Sequence, residues 1–210
     1  MAKVLKECIR PKTLMSRSEK DMERIAQALR EGEIAIFPTD TVYGIGCMAT
    51  DSNAVRKLSH VRGRDAGKPF IVLLASTKDL SLVAKDAAPS VRHLMERFWP
   101  GPLTIVLPAI DGLPEEVTAG TGTVAVRVPG NALTRELIAA VGSPLIAPSA
   151  NHPTKEPARN IAEAKEAFPG VAVLDGGESE GGVSTVIALR PLRIIREGRI
   201  SRAEIEAAMR

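Results

Sequence analysis

Nine consecutive residues, Pro38-Thr39-Asp40-Thr41-Val42-Tyr43-Gly44-Ile45-Gly46, crowd two hydroxyls, a carboxylate, a phenol and two glycines together. The polar groups offer a ligand donors and acceptors, and the glycines let it approach the backbone closely. The stretch follows the apolar run Ile34-Ala35-Ile36-Phe37, and together they read as a buried strand ending in an exposed loop. Strand-end loops are where α/β proteins place chemistry, so a polar ligand is expected here.

A second concentration is of charge. Between positions 56 and 68, Arg56, Lys57, Arg62, Arg64 and Lys68 stand against Asp65 alone, while the whole chain carries a net charge of only +3. A basic excess confined beside one glycine-containing turn suits a local anion better than a long nucleic acid. Arg127 poses a different question, because it sits inside the apolar alternation Val124 to Val128, where an unpaired charge is costly. An internal salt bridge with one of the acids would answer that cost. Further on, Leu145-Ile146-Ala147 runs into Pro148-Ser149-Ala150-Asn151, repeating the strand-then-polar-loop pattern. Serine and asparagine are also ordinary turn formers, so ligand contact and turn structure both fit there.

Familiar signatures fail on spacing. Gly63-Arg64-Asp65-Ala66-Gly67-Lys68 is one residue short of a phosphate loop and is followed by Pro69. Gly44-Ile45-Gly46-Cys47-Met48-Ala49 matches a dinucleotide fingerprint by letters, but the next helix begins only after Asp51, too late to meet a pyrophosphate held at that turn. His60, His93 and His152 are not spaced as metal ligands, and no serine stands in a nucleophile elbow. No protein-held metal is expected, and any cation would arrive with a phosphate ligand.

The elements that must position these residues follow from periodicity. Ser16 and Glu19 have capping-box spacing, and Met22, Ile25, Ala26 and Leu29 form a helical face ended by Gly32. Asp51 or Ser52 caps a second helix that ends near Gly63 and delivers Arg62, Arg64 and Lys68. Strands are predicted over Phe70 to Leu74, Leu103 to Leu107, Val124 to Val128, Val171 to Leu174, Ser184 to Ile187 and Ile194-Ile195. Helices are predicted over Ser90 to Phe98, Leu133 to Val141, Ile161 to Phe168 and from Ser201, with Asp111 to Gly122 loop-like. Several strand-to-strand joins imply a mixed sheet in an α/β fold.

Composition sets the outer bounds. The 210 residues suffice for one sizeable core, and a single domain over 1–210 is expected. Apolar residues make up 44% and charged residues 25%, near the globular average. Aromatic residues are only 3%, so the core must rest on Val, Ile, Leu and Ala, and few stacking platforms exist for single-stranded RNA. No apolar run reaches signal-peptide or membrane-spanning length, which points to the cytoplasm. Cys8 and Cys47 have no paired spacing, so neither a disulfide framework nor a cysteine metal site is expected.

Four separated motifs converge: Pro38-Thr39-Asp40-Thr41-Val42-Tyr43-Gly44, Arg62-Gly63-Arg64 with Lys68-Pro69, Thr123-Val124-Ala125-Val126-Arg127-Val128-Pro129, and Ser149-Ala150-Asn151. In order and spacing they resemble the YrdC-like family of threonylcarbamoyl-adenylate synthases. Trp99-Pro100-Gly101-Pro102-Leu103-Thr104 and Ser184-Thr185-Val186 are further landmarks, and the resemblance runs from about Ser18 to Arg199. It implies a single α/β domain with a twisted mixed parallel and antiparallel sheet flanked by helices, and a cationic concave site. It also implies a reaction in which L-threonine, bicarbonate and ATP, with Mg2+, give threonylcarbamoyl-AMP and pyrophosphate for modification of tRNA adenosine 37.

By position in the family's motifs, Arg62, Arg64, Ser149 and Asn151 would serve the chemistry. Arg64, Lys68, Thr123, Ser149 and Arg196 would hold ATP, and Thr41, Arg127, Ala147 and Ser184 would hold threonine, with Thr185 an alternative to Ser184. Implied partners are tRNA or double-stranded RNA and downstream tRNA-modification proteins. The chain departs from the family pattern at Arg62, commonly Lys, at Leu73, commonly His, and at Pro157, often Ser. A non-catalytic RNA-binding module and a nucleotide-binding paralogue with another acceptor are the alternative readings.

Overall fold

The computed structural model describes residues 17–63, 67–189 and 191–209, so the expected Ser16 cap lies outside the described residues. Helix α1 (Arg17–Arg30) buries Ile25, Ala26 and Leu29 completely on one face. Gly32 follows at φ +80°, a left-handed conformation that glycine adopts without strain. The chain then enters strand β1 (Ala35–Phe37), turns, and returns antiparallel as β2 (Gly44–Met48).

Helix α2 (Ser52–Arg62) is capped as predicted: Asp51 accepts from the N–H groups of Asn53 and Ala54, and Gly63 closes the end at φ +58°. Next come β3 (Ile71–Leu73), a 3-10 turn (Thr77–Leu82), α3 (Pro89–Phe98), β4 (Leu103–Pro108) and α4 (Glu115–Thr118). Then follow β5 (Thr123–Arg127), α5 (Ala132–Val141), β6 (Leu145–Ile146), α6 (Ile161–Ala167), β7 (Ala172–Val173), β8 (Thr185–Ala188), β9 (Arg193–Arg196) and α7 (Arg202–Ala208).

The described strands form one sheet in the order β7-β1-β2-β6-β3-β5-β4-β8-β9. Parallel neighbours (β1 with β7, β3 with β5, β4 with β8) alternate with antiparallel ones, giving the mixed sheet flanked by helices that the irregular alternation predicted. Side chains along a strand alternate between faces, so the sheet needs cover on both. One core joins Ile45, Val72, Ile105, Val126 and Ile146 to buried residues of α2, α3, α6 and α7. A smaller core on Ala35, Phe37, Leu73 and Leu145 is covered by α1 and α5. No described helix is long and apolar enough to cross a membrane.

Three expectations are corrected. The stretch after β1 is not an exposed loop: Thr39, Thr41 and Tyr43 are buried. Their polar atoms bond within the protein, Thr39 Oγ1 to Thr41 Oγ1 at 2.9 Å and to the Val42 carbonyl at 2.7 Å, and the Tyr43 hydroxyl to the Gly177 carbonyl at 2.8 Å. Gly44 and Gly46 belong to strand β2, and a Cβ on Gly46 would lie 2.2 Å from the Ile146 carbonyl oxygen. Close pairing of β2 with β6, then, accounts for a glycine that resembled a nucleotide fingerprint. Finally, the segment 111–122 contains the single-turn helix α4, with Val117 packed into the main core.

Candidate functional site

A cavity of about 310 Å³ opens where distant segments converge. Its described lining includes Thr39, Thr41 and Val42 from the β1–β2 turn, Gly44, Ile71 and Leu73 from strands, and Ala147-Pro148-Ser149 after β6. Arg127 ends β5, Arg196 ends β9, Ser184 precedes β8, and Arg62 reaches in from the last turn of α2. Backbone stitching fixes the two loops together: Ala150 N–H donates to the Tyr43 carbonyl at 2.7 Å and Ile45 N–H to the Pro148 carbonyl at 2.9 Å. Gly44 permits this approach, because a Cβ there would sit 3.0 Å from the Ala147 Cβ.

Arg127 lies in the cavity wall yet is 5% exposed. Its Nη1 stands 3.1 Å from Asp40 Oδ1, but the approach is misaligned: Nε and Nη1 of Arg127 and both Asp40 oxygens are buried without a hydrogen-bond partner. Burial pushes the guanidinium below its ordinary pKa; Asp40 pulls it back up, and Arg196 and Arg199 push it further down. Thus the internal salt bridge left open by the sequence exists, and it leaves the fork's hydrogen-bonding capacity unused. A planar acceptor such as a carboxylate matches that fork.

Arg196 is held differently. Its Nε donates to the Ser184 carbonyl at 3.0 Å and its Nη2 to Ser184 Oγ at 2.9 Å. Desolvation lowers its pKa as well. Ser184 and Thr185 are both buried and differ in their bonding and in which of them lines the cavity. Thr185 is fully buried; its hydroxyl donates to the Ile200 carbonyl at 2.6 Å and accepts from the N–H groups of Gly198 and Ile200 at 2.9 and 3.0 Å. Ser184 is the one that lines the cavity.

The structure therefore brings together Thr41, Arg62, Arg127, Ala147, Ser149, Ser184 and Arg196. Lys68, Thr123 and Asn151 are not in the described lining. Thr123 begins the strand that Arg127 ends; they share a face but stand about 13 Å apart at roughly 3.3 Å per residue. Asn151 supports its own loop, its Nδ2 donating to the carbonyls of His152 and Lys155 at 3.1 and 2.7 Å. Arg62 Nη2 approaches Asn151 from across the gap, 3.4 Å from its carbonyl oxygen and 3.5 Å from Oδ1. Lys68 is exposed, and Arg64 lies outside the described residues.

Three residues were not singled out by sequence. Asp40 was visible as a carboxylate in the opening stretch, and the need of Arg127 for an acid was the signal that could have paired them. Arg199, whose Nη1 donates to the Asp40 carbonyl at 2.7 Å, had no such signal, and Thr104, behind Ser184, stood only as the last residue of the Trp99 to Thr104 landmark, with no role attached. A larger cavity, about 570 Å³, lies between the segment Leu74 to Leu82 and α5, but its arginine is engaged: Arg135 Nη1 donates to the carbonyls of Pro129 and Gly130 at 2.8 and 2.7 Å. Convergent cations favour the smaller cavity as the site.

Comparison with known proteins identifies the family of the chain. A threonylcarbamoyl-AMP synthase of Pyrococcus abyssi is 42% identical over 183 residues, covering 85% of this chain and 54% of that protein. One from Bacillus subtilis is 37% identical over 203 residues, covering 93% of this chain and 58% of that protein. The crystal structure of P. abyssi Sua5 complexed with L-threonine superposes with a TM-score of 0.87 at 38% identity, covering 93% of this chain and 58% of the other. The chain thus spans little more than half the length of these relatives. With the Sua5, YciO and YrdC domain, described as "Telomere recombination", matching residues 27–198, the chain belongs to the Sua5/YciO/YrdC family.

Proposed function

We propose that this chain, acting as one domain in the cytoplasm, forms threonylcarbamoyl-AMP from L-threonine, bicarbonate and ATP. The observation that carries the reading is Arg127: a buried guanidinium in the cavity wall with unused donors. Support comes from the relatives named for this activity and from the threonine-bound relative of the same fold.

In this reading Arg127 takes the threonine carboxylate, with Thr41 and Ala147 beside the amino acid. Amine and bicarbonate condense to a carbamate with loss of water. A carbamate oxygen then attacks the α-phosphorus of ATP; the new P–O bond forms as the bond to the β-phosphate oxygen breaks, and pyrophosphate leaves with the electron pair. Such a step needs positioning and charge neutralisation, and no protein nucleophile. Arg62 and Arg196 supply cations on the cavity wall, and by their place in the family motif Arg64 and Lys68 would meet the phosphates. Ser149 offers a hydroxyl in the same lining, while Thr123 and Asn151 act from the margins. Magnesium enters bound to the triphosphate, as part of the substrate. The product would pass to tRNA-modification proteins acting on adenosine 37.

The test is pyrophosphate release. Release should require threonine, bicarbonate and ATP together and should collapse in Arg64→Ala. Release that is indifferent to threonine would end the reading.

A further inference from the structure

Thr104 is a polar residue, the second of β4, with no exposure at all. Among the described residues its hydroxyl has one partner, Ser184 Oγ at 2.9 Å, which also accepts from Arg196 Nη2 at 2.9 Å. Counting protons then fixes the direction of the chain. If Ser184 donated to Thr104, the Thr104 proton would be buried with no acceptor, which is costly, whereas an acceptor with a spare lone pair is tolerated more readily. Thr104 therefore donates, Ser184 Oγ accepts twice, and the Ser184 proton is left to point into the cavity that Ser184 lines.

We infer that Thr104 is a positioning residue: it turns the Ser184 hydroxyl and the Arg196 guanidinium into one donor unit for an anionic oxygen of the ligand. Valine would satisfy the strand and the packing at this position better than threonine, so packing alone gives no reason for the hydroxyl. Sequence-based expectation assigned Ser184 to threonine and Arg196 to ATP, yet the two share a hydrogen bond. The shared ligand chemistry is a carboxylate or phosphate oxygen. This inference rests on the cavity being the site of the proposed synthase.

The experiment is calorimetric titration of wild-type protein, Thr104→Val and Thr104→Ser with three probes: L-threonine, magnesium ATP and inorganic pyrophosphate. Thr104→Val is expected to weaken one substrate about tenfold, the effect of one misdirected hydrogen bond to a charged group, with the other within about twofold. Weakened threonine identifies a carboxylate oxygen; weakened ATP, with pyrophosphate following it, identifies a phosphate oxygen. Thr104→Ser should restore binding to within about threefold, and the denaturation midpoint of Thr104→Val should not fall. Unchanged binding in Thr104→Val, or a loss that serine does not rescue, overturns the inference. If wild-type protein binds neither substrate, the synthase reading fails separately. The donor unit then stands only if pyrophosphate binding weakens in Thr104→Val, and falls otherwise.

Discussion

Removing Arg127 separates its structural role from the ligand-binding role proposed for it. At 3.1 Å, and with an effective dielectric of about 20, the attraction between Arg127 and Asp40 is about 5 kcal/mol. Taking each ion out of water costs several kcal/mol, and the misaligned pair recovers little through hydrogen bonding, so its net contribution to stability is close to zero. Losing one partner alone is another matter, since it leaves a buried charge. Arg127→Met should therefore destabilise the protein by about 3–5 kcal/mol, and adding Asp40→Asn should recover most of that loss.

Ligand binding should not follow stability. A bidentate guanidinium contact to a carboxylate comprises two charged hydrogen bonds, each about 1.5–3 kcal/mol, so losing both weakens threonine about 100-fold or more. The double variant should be nearly as stable as wild type in urea yet still fail to bind threonine in calorimetry. Gly130 makes the isosteric choice at position 40 necessary, because even a Cβ on that glycine would lie 3.2 Å from Asp40 Oδ2. Recovery of threonine affinity in the stable double variant would refute the assignment and leave Arg127 a purely internal ion-pair partner.

Two further outcomes test the fold beneath the site. Gly46→Ala places a Cβ against the Ile146 carbonyl and should cost about 3 kcal/mol or more by chemical denaturation, because backbone must move apart; a loss below about 1 kcal/mol would contradict the packing. Burial pushes the Cys47 thiol from 9.0 up to about 12, with Asp51 adding to the rise. The folded state then keeps a proton that the unfolded chain gives up, so its contribution is complete below pH 9 and is lost as pH rises toward 12. Urea midpoints should fall between pH 9 and 12 more steeply in wild type than in Cys47→Ala, by at most about 1.4 kcal/mol per pH unit. Parallel slopes would disprove it.

Much of this was readable before any coordinates. The caps at Asp51 and Gly63 and the apolar face of α1 are local signals, and local signals survive folding. The segment Pro38 to Gly46 was recognised as chemical but assigned to an exposed loop, because hydroxyls and glycines in sequence look like a turn. What holds Tyr43 and crowds Gly46 is partnership with Gly177 and Ile146, 100 or more positions away, and no window of local sequence contains it. Thr185 and Ser184 show the same limit at single-residue scale: strand alternation assigns them opposite faces, but which face holds the cavity depends on β4 and β9.

The positions at which the chain departs from its family pattern bear on selectivity through their placement. Arg62, Leu73 and Pro157 all line the same 310 Å³ cavity. Two of the three put apolar surface where a polar side chain is common, beside Ile71, Pro69 and Ala147. Apolar walls discriminate weakly, since one methyl group is worth about 1–3 kcal/mol, whereas a site built from fixed donors rejects a ligand lacking the matching acceptor much more strongly. Under the proposed function, selectivity would reside chiefly in the cations, with Arg127 and the Ser184–Arg196 unit choosing the anionic groups of the substrates. The apolar wall would then add the smaller preference between amino acids differing by a methyl.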